Sequence, residues 1–126
     1  VAPLVVFGVV ELAVAALTGW LMVATVTIPD TLRAHGVTHL GRIRQAHLDL
    51  LFMGVILTAV GAAVPDVPTW IAVLLVVGAY GQPVTFLPLA FRASIQRATA
   101  FRALEGLLFV GTSVGWVALA VLVLAR

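Results

Sequence analysis

Four long apolar runs separated by short polar breaks make up nearly the whole chain. The first goes from about Val5 to Ile28, carries a single charge at Glu11, and ends at Pro29-Asp30, a pair that stops a helix. A polar stretch from Thr31 to Gln45 follows, holding Arg33, His35, His39, Arg42 and Arg44, and the apolar run resumes at Leu48 and continues to Val64. A second helix starting near Val37 would have about 28 residues and a length of about 42 Å, so its basic first turns would stand in the headgroup region. After the tight turn Pro65-Asp66-Val67-Pro68, a third helix is expected from about Thr69 to Phe91, with Pro83 and Pro88 inside it. Each proline removes a backbone donor and crowds the preceding turn, which predicts a kink or a local opening. A basic loop from Arg92 to Thr99 leads to a fourth helix from about Ala100 to Ala125.

The predicted fold is therefore all-α: one integral membrane domain over residues 1–126, with four transmembrane helices at about 5–28, 37–64, 69–91 and 100–125 joined by short loops. Composition agrees. Of the 126 residues, 63% are hydrophobic and 10% charged, which leaves too little polar surface to cover a body in water. The expected solvent is the lipid bilayer. The sequence begins at Val1 without a methionine, which leaves room for a further N-terminal piece, and no cleavable signal pattern is present.

Charge sets topology rather than nucleic-acid binding. The net charge is +2, and all seven basic residues are arginines placed in or beside short connections. Arg33, Arg42 and Arg44 flank one connection and Arg92, Arg97 and Arg102 the other, with none between Val64 and Thr69. By the positive-inside rule both arginine-bearing connections are cytoplasmic and both termini external, as expected in a bacterial cytoplasmic membrane. Absence of cysteine excludes disulfides, thiolate metal sites and thiol catalysis.

Ionisable groups inside spans need a partner, a cavity or a cofactor, because each costs about 2.5–3.5 kcal/mol near a helix centre. Glu11, His47, Asp49 and Glu105 fall in this class, with Gln82 as the uncharged member. Arg102, one turn earlier, is the expected partner of Glu105. Glu11 has no arginine nearby in sequence and should face the bundle interior, either as the acid or hydrogen-bonded to another helix. A carboxylate in the first of four membrane helices is also the pattern of small proton-coupled multidrug exporters. Gly8, Gly54, Gly61 and Gly111 offer surfaces for close helix packing.

All three histidines fall between residues 35 and 47. His39 and His47 are about 80° and 12 Å apart on a continuous helix, so they do not share one ion. His35 and His39 read either as solvated interface residues or, if the helix reached back past Gly36, as a zinc pair. His47 stands where polar turns give way to Leu48, Leu50, Leu51, Phe52 and Met53. A neutral imidazole beside a wide apolar surface suits haem iron, and Arg44 one turn earlier suits a propionate; the alternative is a histidine bonded to another helix or to Glu11.

Gln45-Ala46-His47-Leu48 running into Phe52-Met53-Gly54, in the second of four short membrane helices, resembles the membrane-bound styrene oxide isomerases and the related hydroxylaminobenzene mutases. The resemblance implies haem b ligated by His47, with Met53 on the pocket side, and a homotrimer with haem at subunit interfaces. It implies, too, Lewis-acid rearrangement of a small apolar, aromatic substrate arriving from the lipid. Three positions depart from the family pattern: Met53 stands where the isomerases have asparagine, and an ungapped register places Ala79 and Leu87 where they have aspartate and tyrosine. A shift of register would bring in Tyr80 or Gln82. Loss of those polar groups leaves open a second reading, a haem-carrying or structural subunit of a larger membrane complex.

Overall fold

The structure, a computed structural model, describes residues 1–126 and contains helices and no strands. Helix α1 spans Pro3–Thr27, a short α2 spans Pro29–Ala34, α3 spans Leu40–Ala63, α4 spans Thr69–Phe91, and α5 spans Thr99–Leu124 after a 3-10 turn at Ala93–Arg97. Helices α1, α3, α4 and α5 are long and apolar enough to cross a bilayer, so the chain is an integral membrane protein built as a four-helix bundle.

The polar stretch between the first two spans has more structure than its sequence announces. Ile28 breaks α1 at φ −135°, and Pro29 then serves as the first residue of α2, where its missing N–H has no intrahelical partner to lose. Asp30 in that first turn pairs with Arg33 at 3.0 Å, the only ion pair in the chain. The second span starts at Leu40 rather than Val37. Gly36 adopts φ +92°, a conformation that ends α2, and Val37 is buried with Ile43 and Ala90 instead of entering a helix. The N–H groups of Thr38 and His39 both donate to the Ala90 carbonyl, at 2.9 and 3.0 Å, pinning the linker to the end of α4. Arg42 also donates to Gln96 at 3.2 Å, so both arginine-bearing connections lie at one end of the bundle.

Helix α4 stays helical from Thr69 to Phe91 despite Pro83 and Pro88; neither proline interrupts the run. Pro83 is buried, and Thr85 turns its hydroxyl back onto the Gln82 carbonyl at 2.6 Å, keeping polar atoms of this stretch satisfied inside the helix.

Packing is closest between α1 and α3, where small residues let the backbones approach. A Cβ at Gly61 would lie 2.7 Å from the Val5 nitrogen, and one at Gly54 would lie 3.0 Å from the Gly8 carbonyl oxygen. Gly111 is different: a Cβ there would meet only Leu74, at an ordinary 3.6 Å. The buried positions on α1, Leu4, Gly8, Glu11 and Ala15, follow the alternating four-and-three spacing of a helix seam. Leu4, Leu57, Ile71, Leu75, Ala79 and Leu119 form the main core where α1, α3, α4 and α5 meet. Helix α5 is attached chiefly through α4, with Gly115 against Leu74 and Leu75, and buries only Gly115 and Leu119. Its remaining apolar side chains, including Leu107, Phe109 and Val117, face outward, as lipid-facing residues do.

Candidate functional site

His47 lies two turns into α3, half-buried at the edge of the α1–α3 seam beside fully buried Ala46. Its Nδ1 is 2.9 Å from the hydroxyl oxygen of Thr18 on α1, and that hydroxyl is 2.8 Å from the Ala15 carbonyl. A threonine hydroxyl has one proton, and here it goes to Ala15. With the hydroxyl proton on Ala15, the contact to His47 is completed by a ring Nδ1–H, an arrangement that leaves the Nε2 lone pair free. Gly19 lies beside the ring, where a Cβ would meet His47 Cε1 at an ordinary 3.6 Å. Leu48 and Leu51 on the same part of α3 are exposed, and Arg44, one turn earlier, is exposed and makes no hydrogen bond or ion pair.

Met53 lies elsewhere. Six residues on from His47, it is rotated by about 120° around α3, and it packs against the main core with Tyr80 and Val76 as neighbours of that cluster. Within one chain His47 and Met53 do not share a face. Ala79 belongs to the core itself, and Leu87 is half-buried on α4. Tyr80 donates its hydroxyl to the Phe7 carbonyl at 2.6 Å, and the two rings meet edge to face at 6.5 Å, which occupies the phenol. Gln82 and Asp49 are half-buried and make no side-chain hydrogen bond.

The remaining polar residues divide into satisfied and unsatisfied. His35 Nδ1 is 2.8 Å from the Thr31 carbonyl, and His39 Nδ1 is 2.8 Å from the Thr38 hydroxyl, so each imidazole is used locally. The linker that holds them is not helical, and no group of three histidine or acidic residues is placed to bind a metal ion. Arg102 and Glu105 do not pair. Glu11 is 0% exposed, and neither carboxylate oxygen has a hydrogen-bond partner. It faces the interior as expected, but no helix supplies it a donor.

Two cavities accompany these residues. One of about 540 Å³ opens at the α3–α4 turn end, walled by Leu4 and Phe7 of α1, Gly61 of α3 and Val73 and Val76 of α4. A smaller one of about 260 Å³ lies between α4 and α5, beside Leu108 and Thr112. Neither includes His47.

Thr18, the hydrogen-bond partner of His47, is a residue that the sequence pattern alone does not single out. A signal exists nonetheless: seven residues after Glu11, it falls within about 20° of the same side of α1, the side that packs inward. Compared with known proteins, the chain matches no family model, no curated protein and no solved structure.

Proposed function

We propose that this is a haem-b-binding membrane protein in which His47 Nε2 would hold the iron. The hydrogen-bond chain His47–Thr18–Ala15 carries the reading. Metal-ligating histidines usually give their other ring proton to a fixed acceptor, which sets the tautomer and the ring plane, and Thr18 is such an acceptor. The neighbouring residues fit the rest of a haem's needs: exposed Leu48 and Leu51 offer apolar surface, and unpaired Arg44 offers a partner for a propionate. Neither of the two cavities reaches His47, so the group would lie against the outer face of α3 and be covered by lipid or by another copy. The family resemblance favours another copy, in a homotrimer.

Ferric haem, when bound, supplies a Lewis acid towards an epoxide or N–O oxygen, the rearrangement chemistry of the isomerases and mutases that this chain resembles. This chain's own residues would hold and orient: His47 holds, Thr18 fixes the ring, and Arg44 meets a carboxylate. A small apolar aromatic substrate would arrive through the lipid.

One observation favours a second reading, a haem-carrying subunit without catalysis. The groups that would orient a substrate are absent or occupied, with Met53 and Ala79 packed at the core and the Tyr80 hydroxyl committed to Phe7. A redox titration separates the two. Reversible reduction by a quinol supports electron transfer; a haem that stays ferric and shifts its spectrum with aryl epoxides or arylhydroxylamines supports isomerisation. In either case the arginine-bearing end is assigned to the cytoplasmic side of a bacterial inner membrane by the positive-inside rule.

The direct test is the absorption spectrum of protein purified from haem-replete membranes. A Soret band present in the wild type and lost in His47→Ala is the expected result. A colourless intact protein sinks the proposal.

A further inference from the structure

Helices α1 and α4 both pack on α3 but touch each other little. Tyr80 meets Phe7 through one hydrogen bond and an edge-to-face pair of rings, and towards the α3–α4 turn the two helices part. The 540 Å³ cavity fills the gap, with Leu4 and Phe7 on one side, Val73, Val76 and Val77 on the other and Gly61 at the back. Phe7, Val73 and Val77 are also exposed on the outer surface, so this slot opens sideways to the hydrocarbon. Along α4 it runs from Val77 to Thr69, a rise of about 12 Å. One leaflet supplies about half of the ~30 Å hydrocarbon thickness, about 15 Å. The slot therefore matches the reach of one acyl chain.

Its mouth is polar where its walls are not. Asp66 and Thr69 line it and are exposed. Arg126 lies beside it, with its guanidinium on the carbonyls of Pro65 and Asp66 at 2.6 and 3.2 Å. The Asp66 carboxylate and the Arg126 guanidinium pair neither with each other nor with any other charged group, so the mouth carries one free charge of each sign. Trp70, exposed at the start of α4, sets this end at headgroup level, where tryptophans of membrane proteins collect. The first turn of α4 has no side-chain cap, which leaves its N–H groups for an outside acceptor. A plain hydrocarbon would use none of these groups, and a lipid carrying only negative charge would be repelled by Asp66.

We propose that the slot and its mouth form a binding site for a zwitterionic phospholipid with a primary ammonium, the phosphatidylethanolamine class. One acyl chain lies in the slot between α1 and α4, the ammonium donates to Asp66, and the phosphate meets Arg126 and the first turn of α4. A quaternary ammonium has no N–H to give Asp66, and a glycerol headgroup has no cation. The opposite end of the bundle has a different character: of its six arginines only Arg33 has an acidic partner, so that end draws anionic lipid. The slot lies at the far end of α3 from His47, and the proposal does not depend on haem.

The experiment places the full chain in nanodiscs of phosphatidylethanolamine, phosphatidylcholine and phosphatidylglycerol, mixed equally and with identical acyl chains. The protein is then extracted into detergent and its retained lipids are measured by mass spectrometry. Phosphatidylethanolamine should exceed phosphatidylcholine by about fivefold, the scale of one exposed ion pair. In Asp66→Asn the excess should disappear, and because asparagine accepts the φ of +51° found at this position, the turn is kept. Val73→Trp, which fills the slot from an exposed position, should remove the excess by a separate route. Phe109→Trp, exposed on α5 away from the slot, should preserve it. Phosphatidylglycerol drawn by the arginine-bearing end should be alike in all four proteins, so the ratio of the two zwitterionic lipids is decisive. Equal retention of those two lipids by the wild type overturns the proposal, as does a wild-type excess in either Asp66→Asn or Val73→Trp. Haem absorption is read on the same samples, so failure here and failure of the haem assignment are separate results.

Discussion

His47 Nδ1 lies 2.9 Å from Thr18 Oγ1, and Thr18 spends its only proton on the Ala15 carbonyl at 2.8 Å. This arrangement calls for the Nδ1–H tautomer of the imidazole in the protein without any cofactor. The ¹⁵N spectrum of histidine-labelled, haem-free protein should show one ring held in that form. Thr18→Val should release it to a mixture of tautomers and destabilise the protein by about 1–2 kcal/mol, the cost of an unpaired donor at a half-buried site. Thr18→Ser should restore both. A His47 ring in the Nε2–H form in the wild type would contradict the hydrogen-bond assignment.

The α1–α3 seam should be intolerant of added volume. Replacing Gly54 or Gly61 by leucine forces the two backbones apart, since even a Cβ would come within 3.0 Å of backbone atoms on α1. A loss of about 2–3 kcal/mol is expected from overpacking. Gly106 is the control, because a methyl group there would meet nothing within 4 Å, and Gly106→Ala should leave thermal unfolding unchanged or slightly raised. Equal effects at Gly61 and Gly106 would argue against this packing.

Gly36 at φ +92° carries the chain from α2 into the linker that bonds to Ala90. Gly36→Ala should cost about 1 kcal/mol, because an L side chain is strained there. Faster hydrogen exchange at the Thr38 and His39 amides is the specific readout, since both donate to the Ala90 carbonyl. Unchanged protection at those two amides would place the linker elsewhere.

Tyr80→Phe removes the hydroxyl bonded to the Phe7 carbonyl but keeps the ring that packs on Phe7. Stability should drop by about 1 kcal/mol, while haem absorption stays at the wild-type level because Tyr80 is not on the His47 face. A lost Soret band in this variant would mean that the haem lies against α4 instead.

The four spans are legible in the sequence because apolar runs of membrane length are the strongest signal a chain carries, and Pro29, Pro65 and Pro68 punctuate them. Three features are not. Pro29 reads equally as the end of one helix and the start of another, so α2 is hidden within a polar stretch. The linker at Val37–His39 depends on Gly36 adopting positive φ and on a carbonyl at Ala90, more than fifty residues away, and local spacing carries neither fact. The expected Arg102–Glu105 pair is allowed by spacing but is not formed; Arg102 is exposed, where water or headgroups serve it as well as a carboxylate. At the candidate site, His47 stands out because it is an imidazole at the start of an apolar run; its partner Thr18 lies 29 residues earlier on another helix, and only the antiparallel register brings the two together. Met53, six residues on, is partly buried against the main core about 120° round α3 from His47, a packing that depends on how α4 sits against α3.

Haem ligation by His47 is decided by a titration of haem-free protein with haemin in nanodiscs, followed at the Soret band, for the wild type, His47→Ala and Arg44→Ala. The wild type should saturate at a fixed stoichiometry, His47→Ala should lose the band, and Arg44→Ala should retain a weaker-binding site. Binding by His47→Ala that matches the wild type in affinity and spectrum would contradict the assignment.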